Sequence, residues 1–99
     1  MPKPLAIIGT PSSAGAYAPG QELAPIALRS TGLLTFLGNA GREVMDYGDS
    51  QLFRWRPDRT NRYAQNLPAV MDAIATTAAR VEAADSAGHL PVVLGGDCT

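Results

Sequence analysis

Two short runs, Leu5-Ala6-Ile7-Ile8 and Val92-Val93-Leu94, are apolar at every position, and each ends on glycine. A strand that shows one face to water alternates polar and apolar side chains. One buried on both faces does not, so these runs predict interior strands of a parallel sheet. Between them, Leu67, Val70, Met71, Ile74, Ala78 and Val81 recur at three-four spacing in a stretch rich in alanine. That spacing predicts a helix over 67–86, stopped by Gly88 and packed on the sheet through Val70, Met71, Ile74 and Val81. Arg42 to Tyr47 reads as another strand, entered from Gly38-Asn39-Ala40-Gly41 and closed by Gly48-Asp49. Strands separated by helix-length segments pair in parallel through right-handed crossovers. The expected fold is therefore α/β, with parallel strands near 4–9, 42–47 and 91–95.

From Glu22 onward Leu23, Ile26 and Ala27, then Leu33, Leu34, Phe36 and Leu37, follow helical spacing. Pro25 suits a first turn and Gly32 marks a break, so two short helices or one interrupted helix are expected. Residues 12–20, rich in Ser, Gly, Ala and Pro, predict a loop covering one end of the sheet. Residues 51–66 are polar and rich in arginine and predict a surface loop. With only these elements, Leu5, Ile7, Val92 and Leu94 are expected to lack a full second layer, and the open sheet edge to invite association.

A length of 99 residues permits one domain or part of one, and 45% apolar content suits a packed core. A net charge of -1 removes the general attraction to phosphate on which nucleic-acid binders rely. Arg54, Arg56, Arg59 and Arg62, grouped with Phe53, Trp55 and Tyr63, are accordingly read as an oligomer interface or a solvated face. Gly9, Gly15 and Gly20 fit neither the dinucleotide fingerprint nor the phosphate-binding loop. The first apolar run is too short for a signal or a membrane span, and a single cysteine forms no internal disulfide. A cytoplasmic protein with no membrane or nucleic-acid partner is expected.

Ligands of parallel sheets bind outside the carboxyl ends of the strands, here 9–20, 47–49 and 95–99. His89, the one histidine, precedes the last strand and lies at the opposite end. The pair Gly95-Gly96 turns the chain sharply and presents Asp97 and Cys98 at the ligand-binding edge. Two readings stand for that pair: a small buried cysteine behind a helix-capping aspartate, or a carboxylate and thiol available for chemistry.

The ordered set Ile8-Gly9-Thr10-Pro11, Gly15, Pro19-Gly20, Pro25, Leu28-Arg29, Gly32-Leu33, Asp46-Tyr47-Gly48-Asp49 and Pro91 to Asp97 resembles the N-terminal part of the arginase and agmatinase (ureohydrolase) family. The resemblance implies a three-layer α/β/α fold with a parallel sheet, of which residues 1–99 would be the N-terminal part of a single domain. It implies a metal-dependent hydrolase that cleaves a C–N bond of a small guanidino compound such as arginine or agmatine. Paired manganese ions there activate a bridging hydroxide. It also implies a homo-oligomer. Family members carry a metal-ligating His after Gly-Gly-Asp; Cys98 stands in that place, with Asp97, Gly95 and Gly96 as its immediate support. A thiolate prefers softer ions than manganese, so the exchange bears on which metal, if any, the position holds. The family's later ligand stretches, Asp-Ala-His-x-Asp and Asp-x-Asp, do not occur in residues 1–99. The segment alone is thus expected to be inactive, with no catalytic residue assigned within it. The alternative is a non-catalytic family member or fragment that acts as an interaction module.

Overall fold

The computed structural model describes residues 3–16 and 18–97. Its elements are β1 (Leu5–Thr10), a 3-10 turn (Gln21–Leu23), α1 (Ala24–Ser30), α2 (Leu33–Asn39), β2 (Val44–Asp49), α3 (Leu67–Ser86) and β3 (Leu90–Gly95). All three strands are parallel, in the order β2-β1-β3. The register of β1 with β3 is unbroken from Leu5 opposite Leu90 to Thr10 opposite Gly95. Against β2 it slips once, between Ile7, opposite Asp46, and Ile8, opposite Gly48. Among the described residues no helix is long and apolar enough to cross a membrane.

Successive side chains of β1 point to opposite faces, as the strand repeat requires. Leu5 and Ile7 join Leu94 in one core cluster, covered by Leu33, Leu34 and Leu37 of α2. Ala6 and Ile8 join Ala84 in the other, with Val81 of α3 and Tyr47 of β2 against them. Helices therefore lie on both faces, and the three-layer α/β/α arrangement expected from the sequence is present. The interrupted helix is present too: Gly32 sits between α1 and α2 at φ 84°, a left-handed conformation that side chains with a Cβ rarely adopt.

Two expectations about burial are corrected. Met71 and Ile74 do not seat α3 on the sheet; they are exposed, by 58% and 46%. The side toward the sheet carries Ala73, Thr77, Arg80, Val81 and Ala84, one step around the helix. Ala6 on the strand and Ala84 on the helix leave room for backbones to approach, which longer side chains would prevent. Leu5, Ile7, Val92 and Leu94 do not lack a second layer, because α2 supplies it; the large apolar strand residues left exposed are Met45 of β2 and Leu90 and Val93 of β3.

Ile7 and Ile8 are wholly buried on opposite faces. Ile7→Ala and Ile8→Ala are each expected to cost about 2–5 kcal/mol, and Met71→Ala to stay within about 0.5 kcal/mol. Shifts in the urea midpoint would check this; a Met71 cost matching that of Ile7 would contradict the orientation of α3.

Candidate functional site

The unbroken β1–β3 register brings Thr10 level with Gly95, so the loop after β1 and the turn after β3 leave the sheet side by side. Their backbones then touch. A Cβ built on Gly96 would overlap the carbonyl oxygen of Ser12 and lie 3.0 Å from that of Gln21, so only glycine fits. The N–H of Asp97 donates to the Ser12 carbonyl at 3.0 Å. Its carboxylate Oδ2 accepts the Gly15 N–H at 2.7 Å. Asp97 is thereby fixed in position from both its backbone and its side chain.

The loop is held from its other side as well. Phe53 pairs with Ser12 as an isolated parallel bridge. The Phe53 N–H donates to the Pro11 carbonyl and the Ser13 N–H to the Phe53 carbonyl, both at 2.9 Å. Ser13 Oγ donates to Glu22 Oε1 at 2.8 Å and accepts the Trp55 N–H at 2.7 Å. Glu22 is wholly buried. It also accepts the Gly20 N–H at 2.7 Å and Arg54 Nε at 2.9 Å. The Gly20 N–H above all, with Ser13 and Arg54 adding to it, outweighs the desolvation and holds the carboxyl at about 2, below its ordinary 4.5.

A second charged group braces the ends of β1 and β2. Arg29 of α1 reaches Asp46 Oδ2 through Nη1 at 2.7 Å and Asp49 Oδ1 through Nη2 at 2.9 Å. Arg80 of α3 donates to the carbonyls of Gly9, Tyr47 and Gly48. Thr10 and Thr77 share a hydroxyl hydrogen bond of 2.7 Å across the β1–α3 contact. Beside it a mostly apolar cleft of about 350 Å³ runs between Ile74 and Val93 and ends at Gly96 and Asp97.

Of the residues singled out from the sequence, Gly95 pairs with Thr10, Gly96 and Asp97 meet the 12–15 loop, and Cys98 lies outside the described residues. His89 sits before β3, its Nδ1 2.7 Å from the Tyr47 hydroxyl, remote from this edge as expected. Sequence reasoning missed Glu22, read only as the start of a helical pattern, and its partner Arg54, grouped with a surface patch. Their signals were weak: one acid after Pro19-Gly20 and one arginine among four. Among the described residues no group of three or more His, Cys, Asp or Glu side chains could hold a metal ion. The residues present do not by themselves fit the paired metals that the resemblance implies.

A family model described as the arginase family matches residues 3–99. This chain belongs to the arginase family. Against a non-hepatic arginase of Xenopus laevis it is 38% identical over 94 residues, which cover 94% of the chain and 26% of that relative. Arginase-1 of Rattus norvegicus is 38% identical over 96 residues, 97% of the chain and 30% of the relative. A crystal structure of arginase from Bacillus subtilis superposes at a TM-score of 0.79 with 28% identity, over 96% of the chain and 29% of that structure. Arginase from Bacillus caldovelox gives 0.72 with 32% identity, over 96% and 32%. The chain thus spans about a quarter to a third of the arginases it matches.

Acid should weaken this arginase-family segment in a defined window. A carboxyl held below its ordinary value stabilises the fold fully above that value, and the contribution disappears as pH falls through the folded one. For Glu22 that is from about 4.5 down to about 2. Asp58, lowered first by the Asn66 N–H, acts in the same sense. So does Asp46, where the Gly48 N–H and Arg29 overcome an opposing desolvation. Stability measured by urea titration is expected to fall across this window, and Glu22→Gln to flatten the fall. An unchanged slope in the variant would rule Glu22 out as a source.

Proposed function

We propose that residues 1–99 are the N-terminal part of a single ureohydrolase-type α/β domain, and that the complete protein hydrolyses the guanidino C–N bond of arginine, agmatine or a related compound. The observation that carries this reading is the arginase-family match over residues 3–99, together with the delivery of Gly95, Gly96 and Asp97 to the carboxyl edge of the sheet. The segment's own task is architectural. It builds the sheet edge and fixes Asp97 between Ser12 and Gly15.

Metal dependence is proposed of the complete protein, with manganese as the family's ion. Cys98 is the one candidate ligand within residues 1–99, supported by Asp97, Gly95 and Gly96; the remaining ligands would lie outside this segment. No catalytic residue is assigned here. A cytosolic homo-oligomer that engages a small guanidino substrate, and neither nucleic acid nor membrane, completes the proposal.

The full-length protein with manganese should release urea from arginine or agmatine, and the 1–99 segment alone should release none and run above monomer size in size-exclusion chromatography. Cys98→His should change metal affinity or activity by roughly tenfold or more. A full manganese content and activity, untouched by that substitution, would remove Cys98 from the site. Absence of metal and of turnover in the full-length protein would favour the interaction module instead.

A further inference from the structure

Glu22 takes no part in the proposed chemistry, yet it is the only ionisable side chain wholly buried among the described residues. Its carboxylate gathers donors from three stretches of chain: Gly20 beside it, Ser13 nine residues away, and Arg54 thirty-two residues away. Ser13 forwards the connection, since its hydroxyl also accepts the Trp55 N–H and its own N–H reaches the Phe53 carbonyl. Apart from the one bridge between Ser12 and Phe53, the described residues of 11–20 pair with no strand and form no helix. Main-chain bonds to Phe53 and one turn from Ala16 to Ser13 hold part of the loop's shape, and the side-chain bonds of Ser13 and Glu22 add the tie to Gly20, Arg54 and Trp55. The same loop supplies two bonds to Asp97, from the Ser12 carbonyl and the Gly15 N–H.

We propose that Glu22 is a positioning residue: its buried carboxylate ties the 11–20 loop to the 53–55 segment, and through Ser12 and Gly15 that loop sets the orientation of the Gly95–Asp97 turn. The link passes through one short loop and no helix. Ser13 shares one of its ends with Glu22, and the adjacent Ser12 meets Asp97. A change at Glu22 should accordingly be felt at Asp97, while α3, seated on β1 through Val81, Ala84 and the Thr77 hydroxyl rather than through Glu22 or Ser13, stays unaffected. The consequence for turnover rests on the hydrolase reading above; the consequence for structure does not.

Hydrogen exchange followed by mass spectrometry on the full-length protein separates the two. Glu22→Gln keeps the size of the side chain and an acceptor for Ser13 but sets an amide N–H₂ against Arg54 Nε, whereas Glu22→Ala risks a fold that does not form. In E22Q and in S13A, exchange over residues 12–16 and 92–97 should quicken roughly tenfold, with that over 67–86 unchanged. Adding Arg54→Gln to E22Q removes the opposed donors and should restore part of the protection. Where the wild type releases urea, E22Q should lower kcat and leave KM within about twofold. Equal acceleration in 67–86 would reduce Glu22 to general stability and overturn the proposal, as would unaltered exchange over 92–97. The predicted exchange pattern in a protein that releases no urea would overturn the hydrolase reading and support the positioning role.

Discussion

A strand inside a sheet must satisfy its backbone on both edges and cover its side chains on both faces, and β1 does so in six residues. Its edges are taken by β2 and β3, and the ladder extends past its start, where Leu5 N–H meets the Glu43 carbonyl and Leu90 N–H the Pro4 carbonyl, both at 2.8 Å. Its faces are taken by α2 and α3. Everything at the carboxyl edge follows from that placement. Because the β1–β3 register holds to its last pair, the segments leaving these strands emerge at the same height and must accommodate each other's backbones. Gly96 is the accommodation: any side chain there would strike the Ser12 carbonyl.

The sequence showed this framework clearly because each feature was local. An apolar run without alternation says that both faces are buried, which holds for β1; β3 lies at the sheet edge, and its Leu90 and Val93 stay exposed. The break at Gly32 and the length of α3 were equally local, and the structure reproduces both. The face of α3 was not. Three-four spacing marks a stripe but does not choose between adjacent stripes, and the hydrophobicity of Met71 and Ile74 pulled the expectation toward the larger residues. The stripe that meets the sheet is centred on Ala84, which packs with Ala6 and Ile8 of β1. Ile74 turns toward the edge of β3, where it faces Val93 across the cleft, and Met71 stays exposed.

The charged braces were the least readable part, for a reason of distance along the chain. Arg29 lies 17 residues from Asp46 and 20 from Asp49, and Glu22 lies 32 from Arg54. No periodicity links such positions; they meet only when the crossover connections have been laid down. Motif resemblance did draw attention to Leu28-Arg29 and to Asp46-Tyr47-Gly48-Asp49, and the structure supplies the reason those pieces belong together. One guanidinium spans both aspartates, a geometry that the planar fork of arginine provides and lysine would not. Nothing comparable pointed to Glu22, whose neighbours in sequence look like an ordinary helix entry.

The choice of a carboxylate at Glu22 follows from what the loop lacks. A loop of this kind has donors, the Gly20 N–H and the Ser13 hydroxyl, with no ladder of carbonyls to receive them in register. A neutral apolar side chain would fill the space and leave those donors unsatisfied in a buried place, which costs more than the bonds themselves are worth. Two carboxylate oxygens accept from several directions at once, so one residue can close a loop whose donors point inward from three stretches of chain. The burial cost of its charge is met by those same bonds, and Arg54, itself largely in water, adds a partner without needing to be buried. The geometry also explains why the charge is fixed. With the carboxyl held at about 2, well below its ordinary value, Glu22 keeps its charge where an ordinary carboxyl begins to protonate, and with it the bonds to Gly20, Ser13 and Arg54.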